Sequence, residues 1–139
     1  MFIKKFLSSF IAGIAGAIIG RFCAWYTSST FSCYAMVLNY GIVTGFFSCL
    51  ICAEIALSIM ERKNWKSCFW YGALFGGLSG IFSGFITFSI PFMIWCHDQG
   101  WQLDVYEHIV QGTFGAIGGG FIGVISGLIL GPILAKLSK

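Results

Sequence analysis

Charge is what this chain has least of. Only 9% of its 139 residues are Asp, Glu, Lys or Arg, against about 25% in a soluble domain. Five acids and two histidines leave little material for acid–base chemistry. There is no HExxH, no GxSxG and no phosphate-cradling glycine loop after a strand, so no enzyme activity, cofactor or metal is expected. The net charge of +3 is accounted for by membrane topology, so no nucleic-acid partner is expected either. Proline is nearly absent too. Of the two, Pro91 is expected to kink or end a helix, because it has no N–H for the helix ladder. A small-residue cleavage site is missing after Lys4 and Lys5, so the first apolar run reads as a retained helix rather than a cleaved leader.

What is present is apolar. Hydrophobic residues make up 58% of the chain, and glycine contributes 19 residues more. Apolar runs near residues 6–26, 34–60, 69–95 and 109–134 each reach the roughly 20 residues that cross a bilayer. The expected fold is all-α: one integral membrane domain over 1–139 with four transmembrane helices. Trp25, Tyr26, Tyr34, Trp65, Trp70, Tyr71, Trp95, Trp101 and Tyr106 fall at the run ends, where aromatic belts form.

Within these runs glycine recurs every fourth residue. The longest stripe is Gly115, Gly119, Gly123, Gly127 and Gly131; a second is Gly72, Gly76, Gly80 and Gly84. Shorter ones run Ser8, Ala12, Gly16, Gly20 and Gly41, Gly45, Cys49, Ala53. In water each glycine would cost a helix about 1 kcal/mol relative to alanine. In lipid the backbone has no water to bond, so the helix holds. The stripe then becomes a flat strip for close helix packing. A short repeat, Gly-x2-Gly-x3-Gly from Gly13 and again from Gly77, is compatible with duplication of a helical hairpin.

Basic residues fix an orientation. Lys4 and Lys5 precede the first run, Arg62, Lys63 and Lys66 lie between the second and third, and Lys136 and Lys139 follow the fourth. Four crossings bring all three groups to one side. Arg21 and the acids Asp98, Asp104 and Glu107 fall on the other. By the positive-inside rule the termini face the cytoplasm or its equivalent.

Few residues invite chemistry. Glu54 is the only acid deep in an apolar run, and an intramembrane charge is a candidate functional site by default. Its alternative is a structural bond to a polar neighbour such as Ser58. Thr44 and Ser48 share its run, and with Ser79, Ser83 and Thr87 could line a polar path. Arg21 lies roughly 15–20 Å from Glu54 along the membrane normal, at 1.5 Å per residue, too far to pair. Cys49 and Cys52 have redox spacing without a thioredoxin-like context and read as small packing groups. Cys23, Cys33 and Cys96 lie near one face, and a Cys23–Cys33 bridge is an alternative that spacing alone leaves open. Cys96, His97, Asp98, Asp104, Glu107 and His108 follow no regular zinc spacing and read as a solvated loop.

The middle of the chain resembles a known family. Asn39-Tyr40-Gly41, Gly45, Phe47, Ser48, then Arg62, Lys63, Trp65, and Gly72 with Gly76 and Gly77 are similar to the second and third helices of the Tim-type mitochondrial inner-membrane translocases. Relatives in that family include an accessory subunit of respiratory complex I. The resemblance covers about residues 39–84. It implies a bent row of four helices whose concave face guides a presequence, with Glu54 as the guiding acid. Three features depart from the family pattern. Lys66 stands where the family has an acid, the first loop lacks basic residues, and the basic side would be the intermembrane space.

The leading functional expectation is a non-catalytic subunit packed within a translocase or respiratory complex, partnered by lipid and by other transmembrane subunits or itself. A small transporter or channel with a polar path near Glu54 is the alternative, and a toxin-neutralising membrane protein is a third. The resemblance implies the mitochondrial inner membrane; without it the charge pattern fits a bacterial cytoplasmic membrane.

Overall fold

The computed structural model describes residues 2–28, 34–60, 64–102 and 104–139. Four helices fill them: α1 (Phe2–Ser28), α2 (Tyr34–Met60), α3 (Trp65–Asp98) and α4 (Val105–Leu137). Each is long and apolar enough to cross a membrane, as expected for an integral membrane protein. Large apolar side chains, among them Ile18, Phe22, Phe47, Phe82 and Phe121, are exposed on the outside of the bundle, where hydrocarbon would meet them.

Three helices run beyond their apolar stretches. α1 spans 2–28 rather than 6–26, α3 spans 65–98 rather than 69–95, and α4 spans 105–137 rather than 109–134. The extra turns mix polar and aromatic residues with a few aliphatic ones, and two of their ends carry their own backbone solutions. α3 continues past Pro91, which is fully buried inside it, to Asp98. It stops at Gly100, whose φ of 69° is left-handed. There Gly100 N–H donates to His97 O and Trp101 N–H donates to Cys96 O, each at 3.0 Å, so two otherwise orphaned carbonyls are bonded. Trp101 folds back edge-on against Trp95, with ring centroids 5.3 Å apart. α4 begins at Asp104, whose carboxylate accepts from Tyr106 N–H at 3.0 Å, with Glu107 in the positive first turn. Cys96, His97 and Asp98 are therefore helical, as are Glu107 and His108, rather than parts of a loop.

Glycines set the helix neighbours. On α3 and α4, a methyl added at Gly72, Gly76, Gly80 or Gly84 would overlap the carbonyl oxygen of Gly127, Gly123, Gly119 or Gly115 respectively. Each step of four down α3 is a step of four back along α4, so the two helices are antiparallel and in backbone contact over most of their length. Gly131 continues the stripe, where a methyl would lie 2.7 Å from Gly72 Cα. α1 and α2 meet likewise, Gly16 against Gly45 and Gly20 against Gly41. The contact of α3 with α4 is the longest, that of α1 with α2 the next, and α2 with α3 is shorter; α1 touches α4 sparingly.

The bundle is thus two glycine-packed hairpins joined along α2 and α3. At the end carrying the termini, Ala12, Ala56, Leu57, Met60, Cys68, Leu134 and Ala135 form one buried cluster that includes all four helices. There Lys4 Nζ donates to the Lys139 carbonyl at 3.5 Å. At the other end Ala24, Val37, Leu38, Phe88 and Trp95 join α1, α2 and α3 without α4.

Candidate functional site

Glu54 sits in the seam between α1 and α2. Ser9, fully buried on α1, donates its hydroxyl to Glu54 Oε2 at 2.5 Å. Ser9 Oγ also lies 3.1 Å from the Lys5 carbonyl, but a hydroxyl has one proton, and the shorter distance assigns it to the carboxylate. Ser58, the neighbour anticipated from sequence, donates instead to the Glu54 backbone carbonyl at 2.8 Å, and Lys5 Nζ donates to Ser58 Oγ at 2.5 Å. The result is a chain of bonds from Lys5 through Ser58 to the Glu54 backbone, with Ser9 closing on the side chain. It ties the start of α1 to the end of α2. Ser9 was missed because its role depends on register. Continuing the Gly20–Gly41 and Gly16–Gly45 steps toward the termini brings Ser8 level with Ala53, which puts Ser9 within a turn of Glu54.

Thr44 and Ser48 lie in a different seam, between α2 and α3. Thr44 Oγ1 donates to the Tyr40 carbonyl at 2.7 Å. With its one proton used, it accepts from Thr87 Oγ1 at 2.7 Å and Ser83 Oγ at 3.1 Å. About one turn along, Ser79 Oγ donates to Ser48 Oγ at 3.1 Å, which leaves the Cys49 thiol to donate to Ser79 at 3.0 Å. These two clusters hold α2 to α3, where no glycine-on-glycine contact forms. Hydroxyl bonds of this kind between membrane helices are worth on average about 0.6 kcal/mol each, up to about 1.7.

The six residues of the anticipated polar path are therefore divided. Glu54 is bonded to α1, Thr44 and Ser48 are bonded into the α2–α3 seam, and Ser79, Ser83 and Thr87 face inward from that seam. The inner space is a cavity of about 510 Å³ walled by all four helices, with Ser79, Ser83 and Thr87 in its lining and Glu54, Thr44 and Ser48 outside it. Gln111 and Ser126 of α4 also border it and were not singled out from sequence. Most of the wall is glycine, alanine and larger apolar side chains. Of the packing glycines, Gly16, Gly20 and Gly45 edge the cavity from one hairpin, and Gly72, Gly76, Gly80, Gly84, Gly115, Gly119, Gly123, Gly127 and Gly131 from the other. Gly41 is buried between α1 and α2.

The turn between α3 and α4 gathers aromatics more than ligands. His108 packs edge-on against Phe92 at 5.5 Å, and Phe92 and Trp95 lie tilted against each other at 6.2 Å. Among the described residues no three of His, Cys, Asp and Glu come together in a metal-binding arrangement. Cys49 bonds Ser79, Cys68 and Cys96 are buried, and Cys33 lies outside the described residues, as do Arg62 and Lys63 of the basic linker. Comparison with protein-family models, with curated proteins and with solved structures finds no match.

Proposed function

We propose that this chain is a non-catalytic membrane subunit that packs within a larger membrane assembly. The observation that carries the reading is the use made of its intramembrane polar groups. Glu54, Thr44 and Ser48 are bonded across helix seams and lie outside the cavity, so they serve cohesion rather than a path for a solute. The glycine stripes meet one another inside the chain, which makes each hairpin a stiff unit. The sparingly joined α1–α4 flank is then the side on which a neighbouring subunit would sit. The resemblance of residues 39–84 supports a translocase or respiratory complex of the mitochondrial inner membrane as the class of assembly.

Extraction of the native membrane in mild detergent tests this. A subunit emerges with a stoichiometric set of partner proteins; recovery of the chain alone under conditions that keep other complexes whole refutes the reading. The second reading, a small transporter, draws on Ser79, Ser83, Thr87, Gln111 and Ser126 along the cavity wall. It requires solute flux into liposomes holding only the purified chain.

A further inference from the structure

We infer that the outward face of α3 binds an anionic phospholipid of the leaflet on the basic side, with Lys66 on its phosphate and Trp70 at its glycerol esters. The inference goes beyond the subunit reading and does not depend on it.

Three stripes of four-residue spacing run along α3. Gly72, Gly76, Gly80 and Gly84 lie against α4, and Ser79, Ser83 and Thr87 face α2. The third stripe is Lys66, Trp70, Leu74, Leu78 and Phe82. Its last four members each precede a contact glycine by two residues, about 200° around the helix, so they point away from α4. All five are exposed, Trp70 at 76%, and none borders the cavity between the hairpins.

The order of side chains down this stripe matches the order of groups in a phospholipid. At 1.5 Å per residue, Lys66 stands roughly 6 Å above Trp70 along the helix axis, and Phe82 roughly 18 Å below it. One leaflet contributes about 15 Å of hydrocarbon, half of a core about 30 Å thick. Leu74, Leu78 and Phe82 therefore lie alongside an acyl chain. Trp70 sits where hydrocarbon meets the esters, the depth at which indoles collect. Its side chain has no hydrogen-bond partner among the described residues, and an ester carbonyl at that depth supplies an acceptor. The Lys66 stem runs along the same face and carries its ammonium up to the phosphate.

Charge selects an anionic lipid over a zwitterionic one. Lys4, Lys5, Lys66, Lys136 and Lys139 stand at this end, and Glu54, the one described acid in this half, already receives the Ser9 hydroxyl. α3 has no acid in its first turn. A phosphatidylcholine head brings its own ammonium to this cationic surface; a phosphatidylglycerol head does not. The other lysines lack the same setting. Lys4 bonds the Lys139 carbonyl and Lys5 bonds Ser58. Lys136 and Lys139 are exposed, but the residues one turn deeper, Pro132 and Ala135, are buried, so no aromatic anchor lies beneath them. Among the described lysines only Lys66 joins an unpartnered ammonium to an exposed indole one turn deeper.

The test gives the purified full chain, in mild detergent, equal amounts of phosphatidylglycerol and phosphatidylcholine with identical acyl chains. Bound lipid is counted by native mass spectrometry. The expected result is preferential retention of phosphatidylglycerol. Lys66→Gln should lower that retention about fivefold, the ratio for one lysine beside an anionic lipid surface, and leave phosphatidylcholine unchanged. Lys66→Arg keeps the charge and should keep the preference, which separates loss of the cation from loss of the fold. Trp70→Leu should weaken both lipids, and Lys136→Gln should change either one less than Lys66→Gln does. Phosphatidylglycerol carrying a diazirine close to its glycerol should label the peptide that holds Trp70 and Leu74. Equal retention of the two lipids by the wild type overturns the inference. So does an equal loss in Lys136→Gln and Lys66→Gln, which would mean a diffuse surface charge. Displacement of the lipid by inorganic phosphate also overturns it, because the site would then read a free anion. The sample contains no other protein, so absence of partners in native membranes leaves this outcome unaffected.

Discussion

Gly80 on α3 and Gly119 on α4 face each other so closely that a Cβ on either would fall on the other's carbonyl oxygen. The obstacle is backbone on both sides, so no side chain can swing away to make room. From sequence, alanine looks like a mild replacement within a stripe; in this register it is not. Gly80→Ala and Gly119→Ala should each destabilise the chain by about 1–3 kcal/mol, the usual range for overpacking. Gly118→Ala, one residue along and open to space, should be neutral or slightly stabilising through helix propensity. Reversible unfolding in mixed detergent micelles reads both. Equal stability of Gly80→Ala and Gly118→Ala would break the argument for backbone contact.

The α2–α3 seam should respond differently, because it rests on hydroxyls. Thr44→Val keeps shape but removes both the acceptor for Ser83 and Thr87 and the bond to the Tyr40 carbonyl. A loss of roughly 1–2 kcal/mol is expected, within the range for interhelical bonds in membranes. A double-mutant cycle of Thr44→Val with Thr87→Val should show coupling, since the two share one bond. Strict additivity would mean that the contact contributes nothing.

Some of this was legible from the residues alone and some was not. The four spans follow from apolar run length, and α2 begins and ends at the residues expected from its sequence. The four-residue glycine spacing is equally plain. Which stripe meets which is not, because the stripes are chemically alike and only the fold sets their register. Ser9 illustrates the consequence: nothing local marks it as Glu54's partner, and the pairing follows only once Gly16 and Gly45 are known to touch. The helix ends were hidden for another reason. Apolar counting stops where polarity begins, whereas α3 and α4 extend on backbone bonds and caps at Gly100 and Asp104 that such counting does not register. The cavity has no sequence period at all, since it is the space left between helices.

Those two caps make a matched prediction. Gly100 is left-handed with no atom within 4 Å of its would-be Cβ, so any cost of substitution is conformational rather than steric. Gly100→Ala should cost about 1–2 kcal/mol and Gly100→Asn less, because asparagine tolerates that region better. Asp104→Ala removes the cap on Tyr106 N–H and should cost about 1 kcal/mol. Amide hydrogen exchange should show the first turn of α4 opening in the Asp104 variant while its glycine-packed middle stays protected. Faster exchange throughout α4 would show that the cap supports more than its own turn.

Glu54 separates a structural acid from a working one. Its carboxylate receives the Ser9 proton, and an amide oxygen at the same place would receive it equally well. Glu54→Gln should therefore keep stability and, on the subunit reading, normal complementation in cells lacking the chain. Glu54→Leu should lose stability instead, because Ser9 is left with only the longer bond to the Lys5 carbonyl. A Gln variant that assembles fully but fails to complement would require the charge itself, and the seam-bonded role assigned to Glu54 would have to be given up.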